Sequence, residues 1–288
     1  MSFVRVSVAW LAALCLGVAA VGCGDSDGSG GSNDGGGSEG GNSEGGGGGG
    51  NASAQTYVLV HGAFAGAWTW DRVAARLEES GQHVLTVELP AHGEDPTTPA
   101  DATLDAYTAA VVDTIDGAEE PVVLVGHSMG GLVVSQAAEA RPDKVKQLVY
   151  LAAFLVEDGT SLLAASSGDE ESSLQMYLTP DGPTATLAPE GIPGAFCTDC
   201  SEEDVAAIEQ HLRPEPLAPF TTPIHVTQEA WGSVPRVYIE TLQDHAIGPS
   251  RQKQFYTALP CDEVISIDAG HCPFLTKPDE VADALLSL

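Results

Sequence analysis

The chain has 288 residues, with 41 acidic against 11 basic side chains and a formal net charge of −30. So large an acidic excess argues against nucleic acid and anionic lipid as partners, and it disfavours anionic substrates at long range. It leaves the fold open.

Three compositions follow one another. Residues 1–22 carry Arg5, an apolar stretch from Val6 to Val21, and Gly22. This reads as a secretory signal, too short for a comfortable membrane span. Ala20-Val21-Gly22-Cys23 reads as a lipobox, in which Cys23 is lipidated and becomes the mature N-terminus; ordinary cleavage near Ala20 is the alternative. Residues 23–54 are almost entirely Gly, Ser, Asn, Asp and Glu after Cys23. They cannot bury apolar surface and are expected to be a disordered tether with a reach of about 30 Å. The expectation is an exported protein, lipid-anchored at a bacterial envelope membrane (the outer one, if present) or otherwise secreted. Its contact with the membrane is expected only through that anchor.

Residues 55–288 suffice for one globular domain. Apolar runs alternate with helical patterns: strand 57–60, helix 68–80, strand 83–87, helix 104–116, strand 122–125, helix 129–140, strand 145–151, strand 236–241, helix 250–259, strand 263–268 and helix 278–286. Short, nearly all-apolar strands between helices predict an α/β fold with a mostly parallel sheet covered on both faces. The rhythm breaks at about 157–234, a Ser-, Pro- and Gly-rich stretch with one helix opening at Ser201, where Ser201-x-x-Asp204 forms a capping box. An insertion between two core strands at this point predicts a cap over the site.

The chemistry concentrates at Gly126-His127-Ser128-Met129-Gly130, directly between a strand and a helix. That order is what a nucleophile elbow requires, with Ser128 on the strained turn. A serine nucleophile needs a histidine base and an acid that fixes the base's tautomer. His271 follows the last core strand and is the candidate base. Asp244, just past the preceding strand, is the candidate acid; Asp158 is a second possibility, and Glu240 is expected to lie within its strand. The oxyanion donors are expected to be the backbone N–H groups of Met129 and Ala63, the latter beside Gly62 in the loop after the first strand. His61 and His127 read as structural. Phe64, Phe154 and Phe274 are candidate walls of an apolar substrate pocket.

Cys197 and Cys200 are expected to form a local disulfide or to stay reduced and buried. Cys261 and Cys272 flank a strand that holds them too far apart to bridge. No metal site and no cofactor is expected.

The run Val58-Leu59-Val60-His61-Gly62-Ala63, with Ala67-Trp68-Thr69-Trp70 after it, resembles the start of the plant methylesterase and hydroxynitrile lyase family of the α/β-hydrolases and its bacterial carboxylesterase relatives. The resemblance continues through the elbow, Leu151-Ala152-Ala153-Phe154, Cys200–Asp204, Leu212-Arg213-Pro214, Trp231–Ile239 and Asp268-Ala269-Gly270-His271. It implies the α/β-hydrolase fold with a six-stranded core and the triad Ser128, Asp244, His271. It also implies a serine carboxylesterase that takes a small-molecule ester, small and largely apolar. The lyases carry Thr in the first loop and Lys after the catalytic His. Here Gly62-Ala63 and Cys272 stand at those places, which argues against cyanohydrin cleavage. A lyase or perhydrolase on the same triad, or a non-catalytic ligand-binding homologue, are the alternatives.

Overall fold

Six runs pair into one sheet whose central, nearly all-apolar strands can bury both of their faces only between layers of helix. The computed structural model describes residues 54–288. The signal, Cys23 and all but the last tether residue lie outside the described residues, and with them the lipidation and sorting expectations. In chain order the strands are β1 (Thr56–Val60), β2 (His83–Val87), β3 (Val122–His127), β4 (Val145–Leu151), β5 (Leu178–Asp181), β6 (Thr184–Leu187), β7 (Glu215–Pro216), β8 (Arg236–Thr241) and β9 (Glu263–Ile267). The main sheet has the order β2-β1-β3-β4-β8-β9 and every neighbouring pair in it is parallel. All six residues of β3 are buried, so both faces of the sheet are covered at its centre. Burying one such Val or Leu contributes about 1.5–3 kcal/mol.

The helices are α1 (Asp71–Glu79), α2 (Leu104–Asp116), α3 (Gly130–Ala140), α4 (Leu162–Ser166), α5 (Glu202–His211), α6 (Ala218–Thr221), α7 (Pro249–Ala258), α8 (Pro273–Thr276) and α9 (Pro278–Leu286). In α2 the buried Leu104, Tyr107, Val111 and Ile115 recur every three or four residues and form one apolar stripe. The Thr103 side chain caps its start by accepting the Ala106 N–H at 3.1 Å. The helix expected over 68–80 opens instead as a 3₁₀ turn, Ala67–Trp70, before α1. The strand expected over 122–125 runs on to His127, because it keeps pairing with β4 as far as Leu151.

Between β4 and β8 the chain leaves the sheet for the inserted segment. There β5, β6 and β7 make a small antiparallel sheet, accompanied by α4, α5 and α6. The Ser201 hydroxyl accepts the Asp204 N–H at 3.1 Å, so the expected cap of α5 forms. The insertion returns to the core at Trp231, whose Nε1–H donates to the Tyr150 hydroxyl at 2.9 Å. Glu139 on α3 accepts the N–H groups of Thr227 and Trp231 at 2.7 and 3.1 Å.

Candidate active site

The chain leaves β1 for β2 on one side and then crosses back to lay β3 on the other. The loops after β1 and β3 therefore part at a topological switch point, where α/β sheets place their ligands. Val60 and Gly126 stand side by side there, and each is followed by a segment singled out in the sequence.

After β3 the backbone turns sharply at Ser128, with φ 53°, a left-handed conformation that non-glycine residues rarely adopt. Steric room is what permits it. A Cβ on Gly126 would lie 2.7 Å from the Gly130 carbonyl oxygen, and one on Gly130 would lie 2.8 Å from that of His61. The turn is pinned by the Ser128 carbonyl, which accepts the N–H groups of Gly131 and Phe154 at 3.0 and 3.1 Å. Ser128 is 8% exposed and immediately precedes the first turn of α3. The N-terminal end of that helix favours negative charge.

Asp244 lies three residues past β8 and is buried. Its Oδ1 accepts the N–H groups of Ala246 and Ile247 at 2.7 and 2.9 Å. Its Oδ2 accepts from the Thr241 hydroxyl (2.9 Å), Gln252 Nε2 (3.0 Å) and His271 Nδ1 (2.8 Å). A carboxylate accepts in this setting, so Nδ1 of His271 carries a proton, and in the neutral ring Nε2 is the nitrogen without one. That Nε2 is buried and has no hydrogen-bond partner among the described residues. A buried acceptor left unpaired costs about 1–3 kcal/mol, so its vacancy calls for a reason.

Asp158 is elsewhere. Its largely exposed carboxylate accepts the Val226 N–H at 3.0 Å and lies 3.5 Å from His225. Glu240 stays within β8, where it accepts from Tyr256 and Ser266 hydroxyls.

His127 donates Nε2–H to the His271 carbonyl at 2.8 Å, and its ring centroid lies 4.6 Å from that of His271. Burial holds its pKa well below the ordinary histidine value, so it stays neutral. His61 donates Nδ1–H to the Gly62 carbonyl at 2.8 Å, and its Nε2 accepts the Leu89 N–H at 3.1 Å. Burial lowers its pKa as well. Both histidines hold backbone, as expected of them.

Neither the Ala63 nor the Met129 N–H donates to any backbone or side-chain acceptor among the described residues, whereas the next amide, Phe64 N–H, is taken by Glu215 at 2.7 Å. Gly62 allows this close approach: a Cβ there would lie 2.8 Å from the Ser128 Cβ.

The three candidate wall residues separate. Phe64 meets Phe196 and Phe220 edge-on at 6.5 and 6.4 Å, and Phe196 faces the His271 ring at 5.9 Å. Phe154 turns instead to Phe255 at 5.7 Å. Phe274 packs between Trp70 at 5.3 Å and His127 at 4.7 Å, in the core. Phe196 and Phe220 belong to the insertion and carry no sequence signal for this place. Thr241 and Gln252 were equally silent, being an ordinary strand end and a helix residue until Asp244 is set between them. Cys197 and Cys200 are disulfide-bonded, while Cys261 and Cys272 are free.

Residues 57–284 match the profile described as the alpha/beta hydrolase family. The chain is similar to a putative chloroplastic methylesterase 14 of Arabidopsis thaliana, 33% identical over 251 residues, which span 81% of this chain and 71% of that protein. Among solved structures it is similar to a polyneuridine aldehyde esterase, 28% identical with a TM-score of 0.73 over 82% of this chain and 99% of that one. A pyrethroid hydrolase from Sphingobium faniae JZ-2 gives 27% identity and a TM-score of 0.74, over 82% of this chain and 97% of that one. The chain therefore belongs to the alpha/beta hydrolase family, in its methylesterase group.

Proposed function

We propose that this chain hydrolyses small, largely apolar carboxylic esters with Ser128 as nucleophile, His271 as base and Asp244 as the acid that orients it. The observation that carries the reading is the unpaired Nε2 of His271, freed as a base by the Nδ1–H bond to Asp244. Ser128 Oγ would attack the ester carbonyl as its proton passes to that Nε2. The negative charge then forming on the carbonyl oxygen meets the uncommitted N–H groups of Ala63 and Met129. His271 returns the proton to the departing alcohol, and a water molecule repeats the sequence to release the acid. The relatives' activities, methylesterase and pyrethroid hydrolase, support an ester and leave its alcohol open. The aromatic group Phe64, Phe196 and Phe220, in which Phe196 faces His271, supports an apolar one.

Lyase chemistry is the weaker reading. Cys272 follows His271, and its thiol is buried, has its pKa pushed well up by that burial, and donates to the Phe196 carbonyl. It offers no cation to a leaving group. Export and lipidation at Cys23 belong to the same proposal; they rest on the N-terminal sequence, and the Cys197–Cys200 disulfide supports an oxidising destination.

Ser128→Ala should lower turnover of p-nitrophenyl and methyl esters by about 10³–10⁶, abolish labelling by a fluorophosphonate, and leave the circular dichroism spectrum unchanged. Activity within about tenfold of the unaltered enzyme would overturn the mechanism.

A further inference from the structure

Glu215 on β7 has no exposed side-chain surface, and its carboxylate holds three donors. Oε2 accepts the Phe64 N–H at 2.7 Å and His92 Nε2–H at 2.8 Å, while Oε1 takes the Tyr107 hydroxyl at 3.2 Å. His92, in the loop after β2, is buried as completely. Its other ring nitrogen, Nδ1, faces the Pro90 carbonyl at 3.1 Å. A carboxylate and a carbonyl only accept, so both ring nitrogens carry protons and His92 is an imidazolium. Burial by itself would lower its pKa, but the charge and hydrogen bond of Glu215 outweigh burial and raise it. Glu88, 3.3 Å from His61 Nε2, adds a smaller charge effect in the same direction, while the other neighbours add none. The His61 ring, 4.9 Å away, is neutral by its own bonds. Tyr107 keeps its proton, its pKa raised by burial and then by Glu215.

A buried ion pair is a poor way to gain stability, because desolvating two charges offsets most of their attraction. This one has a geometric consequence instead. Phe64 has φ 62°, left-handed and costly for a bulky residue. Its N–H is held by Glu215, and its carbonyl accepts the Arg213 N–H at 3.1 Å. Both polar groups of the residue after Ala63 are therefore gripped by one short run of the insertion. The Ala63 N–H beside that grip stays without an acceptor among the described residues.

We propose that the buried Glu215–His92 pair is a positioning device for the oxyanion hole: the carboxylate, held in place by His92, clamps Phe64 in its left-handed turn and so aims the Ala63 N–H at the developing charge. The proposal rests on the Ser128 reading. It makes catalysis depend on how the insertion is seated.

The test compares Glu215→Ala and Glu215→Gln with the unaltered enzyme on p-nitrophenyl acetate, with two inhibitors. An alkyl trifluoromethyl ketone forms a tetrahedral adduct whose oxygen fills the hole, and the matching secondary alcohol does not. Glu215→Ala should lower kcat by about 10–100-fold and weaken the ketone in parallel, with KM and alcohol binding within about threefold. Glu215→Gln keeps an acceptor for the Phe64 N–H and should show an intermediate loss of about 3–10-fold in kcat and ketone affinity. A folded Glu215→Ala enzyme with kcat within about twofold of the unaltered one, or an equal loss of alcohol binding, overturns the proposal. If Glu215→Ala does not fold, Glu215→Gln decides alone, and unchanged kcat and ketone affinity overturn it. Ser128→Ala, run alongside, separates the two readings. Persistent activity there sinks the nucleophile assignment, whereas a dead Ser128→Ala beside unaffected Glu215 variants sinks only the clamp.

Discussion

The loops proposed to carry the acid and the oxyanion hole sit on the same rim of the sheet but are held over different chain distances. Asp244 draws four of its donors from Thr241, Ala246, Ile247 and Gln252, all within eight residues. The turn at Phe64 is gripped by Glu215, 151 residues away in the insertion. A loop that saturates its own carboxylate keeps its geometry whatever the insertion does. A strained turn held from outside follows the element that holds it. Substitutions in the insertion should therefore act on the oxyanion side and spare the acid.

The largest effect that can break this comparison lies at the self-sufficient end. Asp244→Asn would replace an acceptor that His271 Nδ1–H needs with a group that can donate, leaving the ring in the wrong tautomer. Turnover should fall by about 10⁴ with little change in folding. Asp158→Asn should stay within about threefold, since its carboxylate is solvent-screened and holds a turn at Val226. Steady-state kinetics on both variants is the measurement, and the reverse ranking would move the acid to Asp158.

The base loop is the intermediate case. His271 follows a core strand, yet the Gly270 N–H donates to Asp199 at 3.0 Å, and the Thr276 hydroxyl donates to the same oxygen at 3.0 Å. Asp199 stands between the disulfide-bonded Cys197 and Cys200. Asp199→Ala should lower kcat by about tenfold, because a shift well under 1 Å in the base is costly. Opening the disulfide with a phosphine reductant should cost less, as Asp199 keeps its partners. If reduction instead matches the Asp199→Ala loss, the disulfide itself sets the loop.

What was legible in the sequence follows the same division. The elbow could be read because Gly126, Ser128 and Gly130 carry the whole turn in five residues. Asp244 and His271 could be placed because each follows a strand made recognisable by its apolar run. In the insertion, β5, β6 and β7 have four residues or fewer, with Pro180 in β5, Pro216 in β7 and Pro183 in the turn before β6, so no alternation survives to be seen. Glu215 carries no signal, and Asp204 shows only as the partner of Ser201 in the capping box, because nothing near them in sequence shows that Phe64, His92 or Arg72 will cover them. Phe154 and Phe274 were placed by proximity to strand ends, which does not determine where a ring turns. Phe196 and Phe220 reach the site only through the fold of the insertion.

The smallest effect tests whether the insertion has an independent hold on the core. Arg72 on α1 donates to Asp204 at 2.6 Å and to the Leu275 carbonyl at 2.6 Å, so one guanidinium joins α1, α5 and α8. Burial alone would raise the Asp204 pKa, but the hydrogen bonds from Arg72 and Ser201 outweigh it and hold it below the usual carboxylate value. A carboxylate with a lowered folded-state pKa contributes stability that is full above its unfolded pKa and is lost as pH falls through the folded one. Arg72 is about half exposed, so screening limits its pair with Asp204 to about 0.5–1 kcal/mol. Arg72→Met should therefore lower the thermal midpoint by a few degrees at pH 7, and the difference should shrink as the pH is taken below about 4. Ester turnover at 25 °C should stay within about twofold, because the Phe64 clamp does not run through α5. A larger loss of kcat, with Asp244-dependent behaviour intact, would show that seating of the insertion as a whole, and not the Glu215 contact alone, sets the oxyanion loop.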